Sequence, residues 1–305
     1  MKRINRRGLL KTSLGISGAL LGGLPYEHRA LLAQLVDRSE YGKVKEPVKG
    51  LQRGKFGKYE ISRLIIGGNL ISGSAHGGEL LYQSALMTHY FTTEKILETW
   101  TLAEQNAINT TLMRADPHIM EHYRQFTRER GGKLHSIAQS APEQGDPVDN
   151  AKRARDNGAI AMYLHGGVSD DLVKAGKVEE IGRVVAGIRQ TGLIAGIGAH
   201  LLPTVQACER AKLDPDFYMF TVNRVNYYAS PAADVAAFMK TIKKPWIGFK
   251  VLGAGRDKPP DGFLHAFEKG ADFIAVGMFD WQVRDDTAHV QAMLAKGIER
   301  DRLWS

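Results

Sequence analysis

Polar side chains able to move protons stand at the ends of short apolar runs along this chain. Arg114, Asp116 and His118 follow one such run, Ala107–Met113, and His165 closes another, Ala159–His165. His200 follows Leu193–Ile197, while Asn223, Asn226 and Tyr227 follow Phe217–Val222, and Lys250 sits near the end of Trp246–Val251. Histidine titrates nearest neutrality and lysine shifts readily when buried. His165 is therefore the candidate acid/base and Lys250 the candidate electrostatic or proton-donating group. His200 and Arg114 complete the candidate catalytic set, with Asn69, His76, Asp116, His118, Gln139, Asn223, Asn226 and Tyr227 as candidate substrate contacts. A metal centre would draw on His76, Asp116, His165 and His200. The chain has no HxH pair on its first apolar run and no HExxH helix, so no metal is expected.

These residues can meet only if the runs that carry them are neighbours. Eight runs of strand length recur: Leu64–Ile66, Ala107–Met113, Leu134–Gln139, Ala159–His165, Leu193–Ile197, Phe217–Val222, Trp246–Val251 and Phe273–Val276. They are near-continuously apolar, as strands buried on both faces are. Amphipathic segments separate them. In Val178–Ile188 the residues Val178, Ile181, Val184, Val185 and Ile188 fall at helical spacing, Ser230-Pro231 reads as a helix start, and Gly262–Lys269 as the helix before the last strand. Eight alternating units predict a (β/α)8 TIM barrel, which gathers the polar residues at the C-terminal ends of its strands. An open doubly wound sheet is the alternative, and the first strand lacks the GxGxxG that would favour it. Gly253, Gly255 and Arg256 after the seventh strand, and Gly277 after the eighth, stand where such barrels commonly hold a phosphate; the plainer reading is tight turns. Residues 70–91 form a Gly-rich, aromatic insertion that could close over the mouth, or serve as a surface loop or oligomer contact.

The chain of 305 residues carries a formal charge of +8, but residues 1–33 contribute Lys2, Arg3, Arg6, Arg7, Lys11 and Arg29 against Glu27. That +5 leaves +3 for the rest, with no basic stripe interleaved with aromatics, so no nucleic-acid partner is expected. The single cysteine, Cys208, cannot form an intrachain disulfide and reads as a small apolar residue on a helix face. Asn5-Arg6-Arg7-Gly8-Leu9-Leu10-Lys11, followed by a weakly apolar, Gly-rich run to Pro25, resembles a twin-arginine (Tat) export signal. The expected organisation is a signal at 1–33, a charged linker at 34–52 and the barrel at 53–305. That organisation implies passage through the Tat machinery to a periplasmic or extracellular location.

Arg53-Gly54-Lys55-Phe56-Gly57 and Glu60-Ile61-Ser62-Arg63-Leu64-Ile65-Ile66-Gly67-Gly68 resemble the opening β-hairpin and first strand of the aldo-keto reductases. The resemblance continues in register through Ala107-Ile108-Asn109, Met162-Tyr163-Leu164-His165, Gly248-Phe249-Lys250-Val251-Leu252-Gly253 and Val276-Gly277, and on to Gln282-Val283-Arg284-Asp285-Asp286. It implies a barrel preceded by an N-terminal β-hairpin, carbonyl reduction with NAD(P)H, and a small polar or sugar-like substrate. The family's catalytic histidine corresponds to His165. Its aspartate, tyrosine and lysine would fall near Leu112, at Pro117 or His118, and at Gln139 or Ser140, and none of the three is present. For the cofactor, the resemblance implies Phe249 as a stacking ring and Gly253, Gly255, Arg256, Gly277, Asp285 and Asp286 as contacts. The fifth strand ends in Gly198-Ala199-His200 rather than Ser-Asn, and no basic residue follows Gly277 to favour a 2′-phosphate. Two alternatives stand beside the oxidoreductase: a lyase, isomerase or hydrolase using His165, His200, Arg114 and Lys250 without nucleotide, and a non-catalytic ligand-binding barrel.

Overall fold

In a computed structural model, which describes residues 45–74 and 81–305, the barrel unit spans Pro47–Ser305. The export signal, most of the linker and His76 lie outside the described residues. Strands β1 (Arg53–Phe56) and β2 (Tyr59–Ser62) form an antiparallel hairpin. Eight parallel strands then close a barrel: β3 (Leu64–Gly67), β4 (Thr110–Arg114), β5 (His135–Gln139), β6 (Ala161–Leu164), β7 (Ile194–Ala199), β8 (Phe217–Thr221), β9 (Trp246–Phe249) and β10 (Phe273–Gly277), with β10 pairing back onto β3. This is the (β/α)8 barrel that the eight apolar runs predict.

Helices α1 (Gln83–Tyr90) and α2 (Thr93–Gln105) follow β3, and α3 (Pro117–Arg128) follows β4. Next come α4 (Pro147–Asp156), α5 (Gly166–Lys174), α6 (Val178–Gln190), α7 (Leu202–Arg210), α8 (Ala232–Met239), α9 (Pro259–Glu268) and α10 (Asp280–Lys296). Because strand side chains alternate, the barrel divides its core in two. Ile65, Leu112, Ile137, Tyr163, Phe217, Met219, Ile247 and Phe273 fill the inside. Leu64, Ile66, Met113, Met162, Ile197, Phe220, Ile274 and Val276 pack outward under the helices. Phe56 of the hairpin joins the inner cluster, its ring 4.9 Å from Phe217 and 6.0 Å from Phe273, so the hairpin plugs the N-terminal end.

Two boundaries differ from the sequence expectation. The second barrel strand starts at Thr110, not Ala107, because Ala107 takes a left-handed turn (φ 64°) and Asn109 bridges to the hairpin, accepting from Ser62 N and donating to Glu60 O. The seventh ends at Phe249, because Lys250 itself is left-handed (φ 54°). Ser230 does not start α8; its Oγ accepts from Leu202 N at the head of α7.

At the N-terminal end a cleft of about 520 Å³ is lined by Lys240, Ile242, Arg300, Arg302 and Trp304. Its charges serve the fold. Buried Asp272 pairs with Arg302 at 2.5 Å and accepts from Trp246 N and Ser305 N, which ties the C-terminal tail to the barrel floor.

Candidate active site

His165 leaves β6 as the N-cap of α5. Its Nδ1 accepts from Gly167 N at 3.1 Å, and its own backbone N–H donates to the buried Ser140 Oγ at 2.8 Å. An accepting Nδ1 places the ring proton on Nε2. Burial, then the positive charges of His200, Arg114 and Lys250, push its pKa down to about 4. At neutral pH His165 is thus an uncharged hydrogen-bond donor rather than a proton store.

His200, one residue past β7, has the opposite arrangement. Asp170 on α5 accepts from its Nδ1 at 2.8 Å and from its backbone N at 3.1 Å, and is itself fixed by the Thr204 hydroxyl at 2.6 Å. In the neutral ring, an Nδ1–H donor leaves Nε2 with the lone pair, the form of a proton acceptor. Gly166 makes room for this ring: a Cβ there would lie 2.9 Å from His200 Cε1.

Lys250 stands at the head of the loop after β9. Its Nζ lies 5.7 Å from the centre of the Phe249 ring, 5.8 Å from Tyr227 and 5.6 Å from Tyr228. Its pKa falls to about 8, and burial is the cause. His200 reaches two of the same rings, at 5.3 Å from Phe249 and 6.3 Å from Tyr228. The loops after β8 and β9 are clamped together by Arg224, whose guanidinium is bidentate to Asp257 at 2.8 and 2.7 Å. Asn223 turns the first loop by gripping Tyr227 N and O, both at 2.9 Å.

The structure therefore brings His165, His200, Lys250, Phe249 and Tyr227 to one rim, and adds Asp170 and Tyr228, which sequence reasoning did not select. Arg114 is close enough to depress His165, but its guanidinium is held by Asp116 at 2.8 Å and by Glu143. Asp116 is accordingly a buried ion-pair partner, 5% exposed. Gln139 and Asn69 are half-buried at the ends of β5 and β3. His118 is exposed on α3, edge-on to His122, and Asn226 is exposed with φ 53°.

A nicotinamide cofactor would need a cradle for its diphosphate, and the residues after β9 do not form one. Helix α9 opens with Pro259 and Pro260, which carry no N–H, and its head bears Asp257 and Asp261. Arg256 is stacked 4.2 Å over Tyr227 and bonded to Gly253 O; Gly253 is buried and Gly255 exposed. Gly277 faces Leu70, to which a Cβ would come within 3.3 Å. Asp285 is paired with Arg284, and Asp286 is buried on α10 with Oδ2 unpartnered. Among the described residues no cluster of His, Cys, Asp and Glu could hold a metal ion, and no helix is long and apolar enough to cross a membrane.

No protein-family model matches the sequence, and no curated protein matches it. Solved structures do. A Pseudomonas aeruginosa protein described as an aldo-keto reductase superposes with a TM-score of 0.61 at 14% identity, over 83% of this chain and 99% of its own. A second structure of an aldo-keto reductase from that organism gives 0.57 at 15%, over 79% and 95%. Gox0644 in complex with NADPH, as a point variant, gives 0.52 at 9%, over 80% and 94%. The likeness is one of fold. The chain shares the barrel of these structures, and its chemistry depends on the groups at its own rim.

Proposed function

We propose that this protein is an enzyme acting on the carbonyl group of a small polar or sugar-like substrate, at the rim formed by His165, His200 and Lys250. The observation that carries the reading is a pair of histidines whose Nδ1 atoms have opposite partners, an N–H for His165 and a carboxylate for His200, beside a lysine of lowered pKa. His165 Nε2–H can polarise a carbonyl oxygen without giving up its proton. His200, oriented by Asp170, can take and return a proton, and Lys250 supplies an amine or ammonium among aromatic walls. Such a set suits a lyase or isomerase that needs no nucleotide.

An aldo-keto-reductase-like oxidoreductase using NAD(P)H is the second reading. It is favoured by the shared fold, by Phe249 as a flat ring at the rim, and by the NADPH complex of a structural neighbour. Tryptophan fluorescence separates the two, since Trp281, 65% exposed just after β10, would report a nucleotide on that side. Quenching by NADH or NADPH at micromolar concentration is expected only of the oxidoreductase; no change at millimolar nucleotide removes it. We further propose that residues 1–33 direct Tat export. A fusion of this segment to a folded reporter should reach the periplasm, and Arg6→Lys with Arg7→Lys should retain it inside.

A further inference from the structure

We propose that Lys250 Nζ is a covalent nucleophile that condenses with the carbonyl carbon of a small aldehyde or ketone to form an imine. The inference rests on the carbonyl reading of the rim and adds a bond to it. Among the described residues Lys250 has no carboxylate partner, and its surroundings are the rings of Tyr227, Tyr228 and Phe249. An ammonium so placed loses hydration without gaining a counter-charge, which favours the free amine, and its pKa near 8 agrees. The backbone is held for the purpose. Of the seven non-glycine residues described with positive φ, Asn226, Tyr228, Lys250 and Ala254 lie in the two loops that Arg224 clamps together. Strain of this kind persists where the surrounding structure enforces it, and it gathers at sites of function.

The step balances without a redox partner. The amine lone pair attacks the carbonyl carbon, the C–N bond forms, and the C=O π pair moves to oxygen, which His165 Nε2–H steadies. The nitrogen gives a proton to His200 Nε2, and the oxygen takes one from solvent, completing a carbinolamine. His200 then returns its proton to that hydroxyl, the C–O bond breaks, and water leaves as the nitrogen lone pair closes the C=N bond. The net reaction consumes one proton, amine plus carbonyl giving a protonated imine and water. His200 shares two of the three rings with Lys250, which places it to carry the protons.

The test treats the full chain with glycolaldehyde, dihydroxyacetone or pyruvate in the presence of borohydride, which reduces an imine to a stable secondary amine read by intact mass and peptide mapping. One adduct per chain at Lys250 is expected from at least one probe. Its formation rate should rise roughly 20-fold between pH 6.5 and 8.5 and then level off, whereas a surface lysine keeps gaining. Lys250→Arg should lower the adduct at least tenfold, and Asp170→Asn should slow trapping about tenfold while leaving the final stoichiometry at one. Labelling spread over surface lysines, with Lys250 no more modified than they, overturns the proposal. Saturation-transfer NMR with the same probes shows which reading fell. Binding without trapping removes the imine and leaves the carbonyl site; neither binding nor trapping removes both.

Discussion

Asp170 carries no motif and lies 30 residues from His200, yet it determines what His200 can do. With the carboxylate accepting from Nδ1–H, the ring offers a lone pair at Nε2; an amide in its place can donate to Nδ1 and force the other tautomer. Asp170→Asn should lower kcat/KM roughly 10²-fold, while the unfolding midpoint moves by only a few degrees, checked by steady-state assay and thermal melt. Asp286 is the opposite kind of carboxylate. Burial first, and Asp285 second, raise its pKa to about 7, and Oδ2 has no partner. The folded state keeps this proton between about pH 4 and 7, where the unfolded chain releases it, so stability falls as pH rises through that window. Asp286→Asn should remove roughly 2–4 kcal/mol of that loss, measured by denaturant unfolding at pH 5 and pH 8. His165 has a lowered pKa, so its neutral form costs stability only in acid: between pH 6.5 and about 4 the unfolded chain takes the proton first. His165→Asn should flatten that acid limb.

At the scale of elements, the loops after β8 and β9 act as one unit, and Gly253 is where they touch. Its φ is +53°, and a Cβ would lie 2.3 Å from Val225 Cγ2. Gly253→Ala should cost about 1–2 kcal/mol from the left-handed backbone and the contact, and should open both loops to limited proteolysis. Val225→Ala, which removes the obstructing methyl, should restore part of the protection in the double variant. The helices and strands were legible because strands buried on both faces read as near-continuous apolar runs, while helices show apolar residues at the helical period. Their ends were less so. Ala107 and Lys250 border apolar runs and look like strand residues, but a left-handed turn at Ala107 delays the start of one strand and another at Lys250 ends its own, and nothing in their side chains announces it. The insertion at 70–91 reads as a lid or loop, and its described part contains α1, which buries none of its residues.

At the scale of the molecule, the barrel is closed below by the hairpin and by a tail whose Arg302 and Ser305 converge on Asp272. Asp272→Asn leaves Arg302 and Arg300 buried beside an uncharged amide. It should destabilise the chain by roughly 3–5 kcal/mol, read as a fall in denaturation midpoint with no selective loss of ligand binding. The sequence alone determined the eight alternating units, hence the barrel, and hence which end of each strand carries polar residues. His165, His200 and Lys250 could be placed at one end of the barrel from it because a strand end has a fixed place in a closed sheet. Only the tertiary structure decided which of those polar groups are free for chemistry. Arg114 and Asp116 share the type of a catalytic pair and turn out to neutralise one another, while Asp170 and Tyr228 arrive at the rim from a helix and a loop. The physical reason is range. Secondary structure follows from neighbours a few positions apart, whereas the partner that sets a side chain's charge or tautomer is chosen by how distant elements dock.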